Sequence, residues 1–145
     1  MKRIEKNLFI SKFFKNKKLI LTILEEEASA GKIILKSILK YNHAKKIITL
    51  TREISQNLEI LKNKIAKDWE MENEISNILE IIDLEKKHKK SSIEFMRRGS
   101  VIIMDENQNL EKINNEKLKK TFESIKKIKE IFHKKTIDSK NQIKP

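Results

Sequence analysis

The sequence predicts a mostly α fold: an antiparallel bundle of about four helices, with a short N-terminal helix and a small β-hairpin before the last helix. Three observations predict it. The chain of 145 residues has only two Gly and one Pro, too few breakers for an all-β fold with many tight turns. Apolar residues recur at spacings of three and four over most of its length. That pattern fails at one internal place, where Ser91-Ser92-Ile93-Glu94-Phe95-Met96-Arg97-Arg98-Gly99 leads into the apolar run Val101-Ile102-Ile103-Met104. An interruption inside a compact domain carries function more often than one at a terminus.

Residues 1–18 hold seven Lys/Arg against Glu5, with Ile4, Leu8, Phe13 and Phe14 close to helical spacing. The favoured reading is a short amphipathic helix packing its Phe face on one end of the core. A membrane-surface anchor is the alternative. Residues 18–42 form the strongest helix, with a wide stripe of Leu19, Ile20, Ile23, Leu24, Ile34, Leu35, Ile38 and Leu39. Gly31 in its middle costs about 1 kcal/mol against Ala, so it needs a reason, and a close helix crossing supplies one. Of Glu25-Glu26-Glu27, at least one must look toward the bundle or a partner, because successive helical residues turn about 100°.

Ile47, Leu50, Ile54, Leu58, Leu61 and Ile65 then repeat helically over 43–66. A single helix through both segments is too elongated for one core, so a turn is expected near Tyr41–His43. A third helix is expected over 68–88, with Asp68 as N-cap and Met71, Ile75, Ile78, Leu79 and Ile82 facing inward. This stretch is acidic and could oppose the basic terminal helices. Its end, Lys86-Lys87-His88-Lys89-Lys90, places cations where the helix dipole favours them. Val101–Met104 reads as a strand and Leu110–Ile113 as its return across a polar loop. Such a hairpin is marginal alone and must pack on the bundle or pair across a dimer. Asn114 or Asn115 caps the last helix, whose buried face is Leu118, Phe122, Ile125, Ile128 and Phe132. The predicted domain is 1–135, with 136–145 as a frayed tail.

The chain excludes several chemistries. It has no cysteine, so disulfides, Cys-ligated zinc and thiol catalysis are absent. His43, His88 and His133 sit at no metal-ligand spacing, and each Gly is solitary, so no phosphate-cradling loop exists. No apolar run approaches the roughly 20 residues a membrane span needs. A soluble, cytoplasmic protein without cofactor or metal is expected. The net charge of +12 attracts polyanions, chiefly nucleic acid or anionic lipid, although a Lys/Ile/Asn/Glu bias also follows from AT-rich coding.

The candidate site is the basic connector. Lys86, Lys87, His88, Lys89, Lys90, Arg97 and Arg98 form the expected polyanion-binding set, and two of the chain's four Arg are in it. Arg suits bidentate phosphate binding. His88 has the chemistry of a general acid or base, with Glu94 to orient it or to pair with Arg97. Against this stands the plain reading of a solvated helix end and a surface ion pair. The expected partners are RNA, a nucleotide or an acidic protein, with a homodimer or protein partner and without membrane contact.

Glu26-Glu27-Ala28-Ser29-Ala30-Gly31-Lys32-Ile33-Ile34-Leu35, followed by Tyr41-Asn42-His43-Ala44, resembles the first helical hairpin of HEPN-type bundles. The resemblance covers residues 25–45. It implies a four-helix bundle and a dimer, in a family where some members are metal-independent ribonucleases and others only bind nucleotides or partner a nucleotidyltransferase. The family's Arg followed by His four to six residues later is absent here, so no catalytic residue is carried over. A ribonuclease of this type would have to use His88 and Arg97 as its working pair.

Overall fold

The structure is a computed structural model that describes residues 3–4 and 16–143, with side chains as far as Asp138. Its fold is mostly α, with a small antiparallel sheet before the last helix. Helix α1 (Lys17–Ala44) starts where Asn16 adopts an extended backbone and its Oδ1 accepts the N–H of Lys18 (2.8 Å) and Leu19 (3.3 Å). The helix outlasts the turn expected at Tyr41–His43. Asn42 stays in it by donating its side-chain amide to the Ile38 carbonyl at 2.8 Å. The chain reverses just after, at Lys46, whose φ is 60°.

Residues 47–53 are not helical, although Ile47 and Leu50 continue the 3–4 spacing. Ile48 is the residue this loop buries, and Ile47 stays exposed. Asn57 holds the loop to the next helix: its Oδ1 accepts the Thr51 N–H and its amide donates to the Thr51 carbonyl, both at 3.0 Å. Helix α2 opens with Ile54–Ile60, widens into a π segment (Leu61–Ile65) and closes with Ala66–Asp68. The widened turn rotates the helix face, so that Leu61, Ile65 and Ala66 are all buried. Asp68 therefore ends α2 rather than capping the next helix. Glu70, with φ 54°, makes the turn into α3 (Glu72–Lys90).

Three strands follow: β1 (Ile93–Arg97), β2 (Ser100–Met104) and β3 (Leu110–Ile113), antiparallel in the order β1-β2-β3. The hairpin read from sequence is β2–β3, and β1 adds a strand to it. Arg98 (φ 49°) and Gly99 (φ 78°) make a two-residue turn with both residues left-handed, the geometry that matches strand twist. Helix α4 (Asn115–Ile143) is capped by Asn114, whose Oδ1 accepts the Lys117 N–H at 2.8 Å. It runs well past residue 135, because nothing between there and Pro145 breaks a helix already anchored by its packed half.

The core lies in two parts, both spanned by α1, α3 and α4. One holds Ile34, Leu35 and Ile38 of α1 against Leu61 and Ile65 of α2, Met71, Ile75 and Ile78 of α3, and Ile125 and Ile128 of α4. Tyr41, Trp69 and Phe132 close its end, with ring centroids 5.6–6.2 Å apart. The other joins Ile20, Ile23 and Leu24 of α1, Ile81 and Leu84 of α3 and Leu118 of α4 to Val101, Ile103 and Ile113 of the sheet. Ile4 is buried there too, and Arg3 pairs with Glu26 at 2.9 Å. The rest of the expected N-terminal helix, and with it the membrane-anchor reading, lies outside the described residues. Among those described, no helix is long and apolar enough to cross a membrane. The acidic face of α3 opposes α4 inside the chain, through Glu74–Lys127 (2.6 Å) and Glu80–Lys117 (2.8 Å).

Candidate polyanion-binding surface

The seven connector cations divide into two groups. Lys87 lies between Asp83 (3.1 Å) and Glu111 (2.7 Å). Its hydrogen bond to Glu111, then that to Asp83, raises its pKa. Lys89 reaches Glu85 at 2.9 Å, and that hydrogen bond raises its pKa as well. Burial works against the Glu85 carboxylate, but Lys89 and Lys32 more than offset it and hold its pKa low.

His88 sits between two carboxylates: Nδ1 is 2.6 Å from Glu94 Oε1 and Nε2 is 3.1 Å from Glu25 Oε1. Each ring nitrogen of His88 thus faces one carboxylate, and the two come from different elements. Glu94 is enclosed and Glu25 half exposed. Lys17 donates to the Glu94 carbonyl at 3.1 Å, so this cluster ties the start of α1 to the end of α3 and to β1. Of the two contacts expected of Glu94, the one to His88 is present. Glu25, 63 residues away in sequence, is the member that sequence reasoning missed.

Lys86, Lys90, Arg97 and Arg98 form the second group. All four are exposed, with no acidic partner among the described residues. Lys90 borders the β2–β3 loop together with Asp105 and Glu106. Arg97 does not meet His88 within the chain. Glu94, which holds His88, and Arg97 are three residues apart on β1, so they point to opposite faces about 10 Å apart along the strand. The ribonuclease pairing of His88 with Arg97 has no support in this geometry.

The turn bearing Arg98 has further cations close by in the topology. Ile113 pairs with Val101, two residues past Gly99, so α4 begins at the same end of the sheet as the turn. The exposed face of α4 carries Lys119, Lys120, Lys126 and Lys129, none with an acidic partner among the described residues. Glu116, Glu123 and Glu130 share that face and leave it net positive.

Glu27 stands apart from this surface. It is fully buried on α1, and neither carboxylate oxygen has a hydrogen-bond partner among the described residues. Burial pushes its pKa up to about 9. Among the described residues no group of three His, Cys, Asp or Glu side chains is placed to hold a metal ion. No protein-family model matches the chain, and no curated protein or solved structure matches it significantly.

Proposed function

We propose that this protein binds a polyanion, with RNA as the partner class, through the Arg98 turn and the lysine face of α4. The supporting observation is the division of the cations. Lys87, His88 and Lys89 are engaged by carboxylates of the same chain, whereas Arg98 and, near the start of α4 at the same end of the sheet, Lys119 and Lys120 have no such partner among the described residues. A phosphate backbone gains most from cations that need not first abandon an internal partner. Nothing in this arrangement reads bases, so affinity without sequence preference is expected.

Fluorescence anisotropy of a labelled single-stranded RNA tests this. Affinity should fall as salt rises, with a log–log slope of about −0.7 for each phosphate contacted. Replacing Arg98, Lys119 and Lys120 together by Glu should weaken binding at least about tenfold, whereas Lys87→Ala or Lys89→Ala should change it far less. Absence of binding at low salt would remove the proposal. Equal effects from both sets of variants would move the site away from this end of the sheet.

A further inference from the structure

Strand β1 turns a carboxylate inward and an aromatic ring outward. Glu94 and Met96 face the bundle, whereas Ile93, Phe95 and Arg97 face solvent. Register places Phe95, Ile102 and Lys112 in one cross-strand row on the outer face of the sheet, and Arg97 with Ser100 in the next. Ile102 is buried, so the accessible apolar group of its row is the Phe95 ring, which is 38% exposed. Among the described residues no other ring and no cation lies against that ring. Its π face is open to a flat partner.

We infer that this face stacks an unpaired RNA base on the Phe95 ring, with Arg97, Arg98 and Lys112 on the flanking phosphates. The inference rests on the polyanion reading and narrows its partner to single-stranded RNA. Base stacking on an aromatic side chain needs an exposed ring with cations around it, and every base has a π face to offer. The bases of a duplex are already stacked on one another, so the ring can serve only a base that is free of its partner.

The cations stand at suitable places. Arg97 is two residues from Phe95 on the same face, about 7 Å along the strand, and Arg98 follows in the turn. Lys112 is two strands across, about 10 Å away. Long side chains cover such distances to phosphates on either side of a base seated on Phe95. All three cations are exposed, with no acidic partner among the described residues. The opposite end of the face is balanced, since Lys87 and Lys90 border Asp105 and Glu106 there. The field therefore draws a phosphate chain toward the turn end, where the Arg98 surface begins.

Size also decides the occupant. One accessible ring in a row whose centre is buried is ample for a base and far too little for a specific protein interface. Stacking does not distinguish one base from another by hydrogen bonds, so binding remains tolerant of sequence.

Fluorescence anisotropy of the full chain with a labelled single-stranded RNA tests this, with the same RNA as a duplex and inorganic polyphosphate as competitors. Phe95→Leu keeps an apolar side chain at an exposed position and removes the π face. It should weaken single-strand binding at least about fivefold, with the salt slope and the affinities for duplex and polyphosphate unchanged. Phe95→Trp should restore binding, and the emission it adds to that of Trp69 should be quenched by the single strand and not by polyphosphate. Arg97→Ala and Lys112→Ala should instead each reduce the steepness of the salt slope by about 0.7. Single-strand affinity that ignores Phe95→Leu overturns the inference and leaves polyanion binding standing. An equal loss for RNA and polyphosphate, or an unquenched Phe95→Trp chain, does the same. A wild-type chain that binds neither RNA nor polyphosphate removes both readings.

Discussion

Glu25, Glu26 and Glu27 are consecutive on α1, about 100° apart around the helix, and meet three different surroundings. Glu25 faces His88, Glu26 pairs with Arg3, and Glu27 points into the core without a hydrogen-bond partner among the described residues. The sequence requires that one of the three turn inward, but their identical chemistry conceals which. The pKa of Glu27 stands near 9 in the folded chain against an ordinary 4.5. Between those values the folded state holds a proton that the unfolded state has released. Stability therefore falls as pH rises from 4.5 to 9, by a total on the order of 3 kcal/mol already at pH 7. Glu27→Gln keeps the shape and removes the titration. Urea unfolding at pH 5, 7 and 9 should show a flatter stability profile in the variant and a gain over wild type at pH 9. An unchanged pH slope would mean that Glu27 is hydrated or paired in solution.

At the scale of elements, Gly31 sets the crossing of α1 over α3. A Cβ added there would lie 2.6 Å from the Ile78 Cγ2 methyl, and Ile78 is fully buried. Helix propensity favours Gly31→Ala by about 1 kcal/mol, while overpacking costs about 1–3 kcal/mol, so a net loss of about 1 kcal/mol is expected. Ile78→Ala removes the opposing methyl and should cost less in the Gly31→Ala background than in wild type, a coupling that a double-mutant cycle in urea measures. Gly31 was legible because a lone Gly in a strong helix demands a close neighbour. The four main helices were legible for a related reason: burying one side of a helix forces a period near 3.6 on the sequence. Strand β1 was not, since Ile93 and Phe95 face outward while its inward side pairs Met96 with Glu94, which serves a histidine, so no clean alternation shows. The start of α2 was hidden by Ile47 and Leu50, which extend the helical spacing into a loop held by the Asn57 side chain. At the site, the connector's charge was legible but its neutralisation was not, because Glu25 and Glu111 arrive from distant elements.

For the whole molecule, two core regions raise the question of whether the chain unfolds as one unit. The rings of Tyr41, Trp69 and Phe132 lie at one end, and the sheet packs in the other core region. The three helices α1, α3 and α4 pass through both regions, so melting either removes half the packing of each. Isolated half-helices of this length are marginal in water, which favours a single transition. Trp69, the sole tryptophan, reports on the end away from the sheet. Ile103→Ala opens a cavity in the central strand, where the side chain is fully buried, and should cost about 2–5 kcal/mol. If the molecule is one cooperative unit, this distant change lowers the urea midpoint of Trp69 fluorescence and of far-UV circular dichroism by the same amount. If the sheet end opens by itself, fluorescence keeps its wild-type midpoint while the dichroism midpoint falls. The Gly31–Ile78 crossing joins the two regions, so the coincidence expected for Ile103→Ala should fail first in a chain that also carries Gly31→Ala.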